Sequence, residues 1–298
     1  MFIFPYQIGR RLQHVPWVTI ALIAANVVAS VAFFFVMFRV VTDVVMAAKT
    51  ADDLLAMLID RLAWWMFYPD WRGLYTWFTS SFLHADPMHL VSNMFFLYLF
   101  GSVVEDAVGH WRYLALYVGG AAAAAALYAL TELIVPGPAK MSIGASGALA
   151  AVMAIFALRF HKTKMRFAYF FMIFFRIRAG TFETTSIVGV GIWAVGELLY
   201  GLLQLGGVGS STAHWAHLGG LVFGGVAAYT LGFIKQASNE YLLDDVAAYS
   251  AAGAHGAAAS AYAKIAENDA ANPFWQLANA RERLLAGGAG ATGAAEQL

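Results

Sequence analysis

The sequence predicts an all-α polytopic membrane protein, with six spanning helices, a long outer loop half-embedded in the membrane surface and a small helical C-terminal tail. Three observations carry this reading. Hydrophobic residues make up 61% of the 298 and charged residues 12%, against roughly 45–50% and about 25% in soluble domains. So few charges cannot cover a water-facing surface. Six stretches approach or exceed the roughly 20 mostly apolar residues that a spanning helix needs. Basic residues gather in alternate connections, as they do on the cytoplasmic side of membrane proteins. The formal net charge is zero, from 18 Lys+Arg and 18 Asp+Glu, which gives no footprint for a nucleic-acid partner. The chain has no cysteine, so disulfide frameworks, thiolate metal sites, Fe–S clusters and cysteine nucleophiles are excluded.

In chain order, residues 1–14 form a short N-terminal segment carrying Arg10 and Arg11. The first span covers residues 17–38. Its apolar run exceeds the 7–15 residues of a signal-peptide core and no A-x-A-like site follows it, so it is expected to be retained. Residues 40–87 form the outer loop. This loop holds Trp64, Trp65, Trp71 and Trp77, a residue type that favours the membrane–water interface, and has helical periodicity around residues 51–66. Spans two to six follow at residues 89–108, 111–135, 142–160, 185–205 and 214–234. Between spans four and five, the apolar run 167–175 is flanked by basic residues and is too short to cross. It is expected to lie in the interface or, alternatively, to begin an extended fifth span.

These boundaries define a membrane domain over 15–235 and a cytoplasmic tail over 236–298. Arg10, Arg11, Arg112, the six basic residues from Arg159 to Arg178, Lys235, Lys264, Arg281 and Arg283 fall on one side, 13 of the 18. Both termini are therefore expected to be cytoplasmic. The tail is Ala-rich with ordinary polarity. Residues 257–267 and 272–285 read as two helices of a tetratricopeptide-like hairpin, followed by a Gly/Ala-rich end. Either a solvated appendage or a surface for a protein partner fits this pattern.

Polar groups at membrane depth are costly and are functional candidates by default. Span two opens with His89-Leu-Val-Ser-Asn93, which puts His89 and Asn93 on one helical face, and His84 lies five residues earlier. Span four opens with Ser142-Ile-Gly-Ala-Ser146, and span six carries His214 and His217. All three spans run from the outer side inward, so their starts share one leaflet. A serine hydroxyl needs a neighbouring base to become a nucleophile, and an imidazole suits that task. His89, Asn93 and the backbone N–H of Ser146 are candidate donors to a developing oxyanion. An orienting carboxylate has no candidate near these positions, so a Ser–His dyad is the simpler inference. Gly220 and Gly224 form a G-x-x-x-G spacing that lets helix backbones approach closely, as Ser146 and His217 would require.

At these residues the chain resembles the rhomboid family of intramembrane serine proteases. The matching pieces are Gly144-Ala-Ser146-Gly147-Ala, Ala216-His217-Leu-Gly-Gly and His89-Leu-Val-Ser-Asn93, with Phe82-Leu-His84 ahead of the last. Glu105, Gly109, Arg112 and Tyr117 look like the family's connection between spans two and three. The resemblance covers roughly residues 15–235. It implies a six-span rhomboid-like bundle and a serine endopeptidase that needs no cofactor and no metal. Ser146 would be the nucleophile, His217 the general base, and His89, Asn93 and the Ser146 N–H the oxyanion site. Transmembrane or membrane-adjacent segments of proteins in the lipid bilayer would be the substrates, entering past a mobile fifth span (185–205) and its cap loop (206–212). Trp71-Arg72 lies further upstream than the family's Trp-Arg pair. Ala150 stands where some members carry an aromatic that supports the histidine ring, and Ala151 where the family has a glycine.

Several side chains carry a second reading. His214 is the nearest rival to His217, which alone is followed by Leu-Gly-Gly. His84 and Gly144 are candidate substrate contacts or structural contacts. Asn93 either stabilises the oxyanion or joins helices. Glu197, inside span five, either gates or contacts substrate or hydrogen-bonds a neighbouring helix. Two other functions remain as alternatives: a metal transporter lined by His84, His89, His214 and His217, and a catalytically inactive rhomboid-like scaffold. A bacterial-type inner membrane is the expected location, with organelle membranes as the alternative.

Overall fold

The computed structural model describes residues 2–134, 141–173, 176–207 and 212–287. Lys140 and the tail's end at 288–298 lie outside the described residues, as do 208–211 of the predicted cap loop and residues 174–175 of the apolar run. The chain divides into two compact units, Met1–Ala228 and Tyr229–Leu298.

Unit one opens with strand β1 (Phe2–Ile8). Helix α1 (Trp17–Ala47) follows Pro16 and runs 31 residues, about 46 Å at 1.5 Å per residue. It extends nine residues beyond the predicted end. Its buried Thr19, Leu22, Asn26, Ser30 and Phe33 fall at helical spacing, so its few polar groups face the bundle. The outer loop folds into α2 (Ala51–Leu62), α3 (Gly73–Thr79) and a 3₁₀ turn at Ser80–Phe82. Thr50 caps α2 by accepting from the Asp53 N–H at 3.1 Å, a standard way to satisfy a free first-turn donor. Arg72 donates to Asp70 Oδ2 through Nε at 2.9 Å and Nη2 at 2.6 Å, which holds the Asp70 carboxyl below the usual carboxylate range.

The second apolar stretch comprises α4 (Pro87–Phe96), a π-helical turn at Leu97–Gly101 and α5 (Ser102–Val108). Next come α6 (His110–Ile134) and α7 (Ser146–Arg159). Strands β2 (Lys164–Ile173) and β3 (Arg176–Thr185) lead into α8 (Ser186–Leu205), and α9 (His214–Thr230) closes the bundle. Unit two holds α10 (Phe233–Ala251), α11 (His255–Asn268) and α12 (Pro273–Leu285). Its core gathers Val246, Ala258 and Ala261, and His255 Nδ1 meets Glu282 Oε2 at 2.7 Å. The tail therefore has a helix ahead of the two that were expected.

Three differences from the sequence reading stand out. The described part of the run 167–175 does not begin an extended span five, because residues 164–173 form β2. This strand pairs antiparallel with β1 and β3 in the order β1-β2-β3. Its side chains alternate: Met165 and Phe167 are buried, whereas Lys164 and Arg166 are exposed, the period of a strand. The fold is therefore mostly helical, with one sheet among the described residues. Second, span four starts four residues late. Residues 142–145 are not helical, and α7 has 14 residues, about 21 Å against a hydrocarbon layer of about 30 Å. Third, length and apolarity support four crossings by single helices (α1, the Pro87–Val108 stretch, α6 and α8), and up to five if α9 and α10 act together. Each of the six apolar stretches contains a helix, and among the described residues length and apolarity do not confirm the count of six crossings.

The short α7 is the centre of the bundle, with Gly147 to Val152 all buried. Small residues allow this. A Cβ on Gly220 would overlap the Gly147 carbonyl oxygen, and one on Gly224 would overlap the Ala151 carbonyl oxygen. On the other side Gly120 faces Ala151, and Ala124 faces Gly147. Ser186 pins the start of α8, its N–H donating to Thr163 O at 2.8 Å and its hydroxyl to Phe160 O.

Because backbone atoms cannot turn aside, Gly220→Val or Gly224→Val should cost about 1–3 kcal/mol or more, seen as a lower melting temperature in detergent. A Cβ on Gly225 meets nothing within 4 Å. Gly225→Ala should therefore melt at or slightly above the wild-type temperature.

Candidate active site

Three helix starts and one helix interior build the site. Asp86 accepts from the His89 N–H at 2.9 Å and so caps α4, with Pro87 at the first helical position, where its missing N–H costs nothing. His89 and Asn93 follow on one face. Ser146 is the first residue of α7, a position whose N–H has no carbonyl partner within the helix. His214 and His217 occupy the first turn of α9. A cavity of about 770 Å³ joins them, lined by His89, Asn93, Ser146 and His217 and floored by Met165 and Phe167 of the sheet.

Ser146 Oγ lies 2.8 Å from His217 Nε2. His217 Nδ1 lies 2.8 Å from Glu197 Oε2, and His214 Nδ1 lies 2.8 Å from the same oxygen. The three side chains of His214, Glu197 and His217 are 8, 11 and 12% exposed. The structure thus supplies a carboxylate where the sequence offered none. Of the two readings of Glu197, hydrogen bonding to a neighbouring helix is the one observed, and the helix is the one carrying the histidines. The available signal is an ionisable residue in an apolar span, which the starts of the inward-running spans do not reveal as a neighbour. Span five runs antiparallel to them, so the later part of α8, not its start, lies level with Ser146.

The loop ahead of Ser146 is held from outside. Ser142 exchanges two backbone hydrogen bonds with Phe67, at 2.8 and 2.9 Å, and the Gly144 N–H donates to Ser80 O at 3.0 Å. Gly144 has φ +118°, a conformation that side chains rarely tolerate. A Cβ there would sit 2.9–3.0 Å from the His89 ring and 3.6 Å from Asn93 Nδ2. The missing side chain at Gly144 lets His89 and Asn93 approach the loop that carries Ser146. Among the described residues Asn93 Nδ2 is buried with no hydrogen-bond partner, an uncommon condition that calls for a reason.

His84 lies apart. It is fully buried, its Nδ1 meets Ser30 Oγ on α1 at 2.9 Å, and it does not line the cavity. This placement ties α1 to the segment ahead of α4. The four-histidine metal site does not assemble. Among the described residues, the group that could hold a metal ion is Glu197, His214 and His217, whose ligand atoms lie within 4.8 Å of one another. Ala150 is fully buried beside Gly220, and the ring packed near His217 is instead Trp193, at 5.8 Å between centroids. Arg72 stays in the outer loop, paired with Asp70.

The Rhomboid domain family model matches residues 72–233. Rhomboid-like protein 11, chloroplastic, of Arabidopsis thaliana is 31% identical over 171 residues, covering 57% of this chain and 56% of that protein. RHOMBOID-like protein 12, mitochondrial, of the same plant is 29% identical over 161 residues, 49% of this chain and 46% of that protein. Presenilin-associated rhomboid-like protein A, mitochondrial, of Danio rerio is 26% identical over 195 residues, 59% of this chain and 46% of that protein. The chain spans about half the length of these curated relatives.

Burial, and secondarily the neighbouring His89, pushes His84 down to about 3, whereas an unfolded chain takes up that proton near pH 6.5. The unfolded state therefore binds more protons between these values, so this contribution to stability is complete above about pH 6.5 and is lost as pH falls toward 3. The melting temperature should drop across that window. His84→Gln, which keeps a partner for Ser30 but does not titrate, should flatten the drop; an unchanged slope would show that His84 titrates normally.

Proposed function

This chain belongs to the rhomboid family, and on that premise we propose that it is an intramembrane serine endopeptidase acting on transmembrane or membrane-adjacent segments. The observation that carries the reading is the 2.8 Å contact between Ser146 Oγ and His217 Nε2 inside a cavity large enough for an extended peptide.

In the proposed reaction, His217 Nε2 takes the Ser146 proton as Oγ attacks the scissile carbonyl. The carbonyl oxygen becomes an oxyanion, for which the unpartnered Asn93 Nδ2, the His89 ring and the Ser146 N–H are the donors. The imidazolium then gives its proton to the leaving amine. A water activated by the same histidine hydrolyses the acyl-enzyme and restores the serine. A peptide bond inside a helix has its carbonyl engaged along the helix axis, so the substrate must unwind locally. Small or helix-breaking residues near the cut favour this. The enzyme would lie in a bacterial-type cell membrane with both termini cytoplasmic, an orientation supported by the distribution of basic residues. The tail beyond residue 235 is proposed as a surface for a protein partner.

With a fluorogenic membrane-helix substrate in detergent, Ser146→Ala and His217→Ala should each lower kcat by about 1,000-fold or more. Asn93→Ala should lower kcat by about 10–100-fold with little change in KM, because its interaction is made in the transition state. Cleavage at the wild-type rate by either dyad variant would overturn the assignment.

A further inference from the structure

Three residues on one face of α8 turn toward the start of α9. Trp193, Glu197 and Tyr200 are spaced four and three apart, so they share a helical face. Trp193 lies against the ring of His217, with centroids 5.8 Å apart. Tyr200 stacks on the ring of His214 at 5.5 Å and 18°. Between them, one oxygen of Glu197 meets the Nδ1 atoms of both histidines at 2.8 Å. Gly201 lies in the same seam between α8 and α9, where a Cβ would make ordinary contact with Trp215, Leu218 and His214 at 3.4–3.6 Å.

Resting on the serine–histidine reading above, we propose that Glu197 is a positioning residue that completes a Ser146–His217–Glu197 relay, with His214 as the second donor that fixes its carboxylate. An ionised carboxylate oxygen only accepts hydrogen bonds. Both Nδ1 atoms therefore carry their protons, which leaves the lone pair of His217 on Nε2, the atom that faces Ser146. Glu197 thus selects the tautomer the reaction requires. When Nε2 takes the serine proton, the positive charge on the imidazolium forms next to a carboxylate in a poorly solvated site, where such stabilisation is strong. The Nδ1 proton stays on His217 and Glu197 remains ionised throughout. The second bond, from His214, prevents the carboxylate from rotating away. It also gives a buried charge the additional partner that such a group needs. The Trp193 and Tyr200 rings brace the two imidazoles from α8, a role that Ala150 on α7 is too small to fill.

The test uses the full chain in detergent with the same membrane-helix substrate, alongside fluorophosphonate labelling of Ser146. Glu197→Gln should lower kcat about 100-fold or more while KM stays within about twofold, because its amide can donate to Nδ1 and favour the wrong tautomer. Glu197→Asp, which restores the charge, should recover at least about tenfold of that loss. His214→Gln should lower kcat by about 3–10-fold. A melting temperature near wild type separates these effects from misfolding; if Glu197→Gln does not fold, Glu197→Asp and His214→Gln must still show reduced kcat at unchanged KM. Glu197→Gln cutting at the wild-type rate while Ser146→Ala is dead would overturn the relay and leave the protease reading intact. A wild type that neither cuts nor labels at Ser146 would overturn both. Activity abolished by EDTA and restored by zinc would make Glu197, His214 and His217 metal ligands and would likewise overturn the relay.

Discussion

Contact between the backbones of α7 and α9 is the constraint on which the rest of the membrane unit depends. Lipid gives helices no hydrophobic reason to associate, so van der Waals fit must do it. Here the fit is made by the absence of side chains: Gly220 lies over the Gly147 carbonyl and Gly224 over that of Ala151. The same spacing sets where His217, three residues before Gly220, meets Ser146, one residue before Gly147. A single methyl in that seam would act on stability and on the serine–histidine distance together.

A second constraint follows from the shortness of α7. Its 14 residues leave the loop before Ser146 at a depth where irregular backbone is tolerated only when protein or water satisfies it. The outer loop supplies those partners through Phe67 and Ser80. The segment between α1 and α4 thus holds up the floor on which the serine stands. Its aromatic residues fit an interfacial position, and its backbone has this further structural use.

What the sequence made legible was whatever depends on composition and on short spacings. The apolar stretches, the Gly-x-Ser-Gly and His-Leu-Gly-Gly elements and the His89/Asn93 pair are local patterns, and the structure brings them to one cavity. Glu197 was visible as an anomaly but not as a neighbour, because antiparallel packing of α8 brings residue 197 level with residues 146 and 217, a relation no local window contains. The sheet was missed for a similar reason. The alternation in Lys164-Met165-Arg166-Phe167 was masked by the aromatic run that follows, and the strand that pairs with it lies at residues 2–8, far away in the chain. The late start of α7 reflects Gly144, whose positive φ ends any helical path from Ser142.

The pinning of α8 has a temporal consequence. Its first residue, Ser186, is tied to Phe160 and Thr163, whereas the stretch near Leu205 is largely exposed. An outward swing of this helix about its Ser186 end would leave these two bonds in place. Glu197 lies about 16 Å along that lever and travels with it, out of reach of both imidazoles. Opening the wall would separate Glu197 from the two histidines, and re-closure would restore their contacts. A membrane helix lying against the opened wall would therefore meet a serine–histidine pair without its carboxylate, and the geometry of one hinged rod would decide when the three groups stand together.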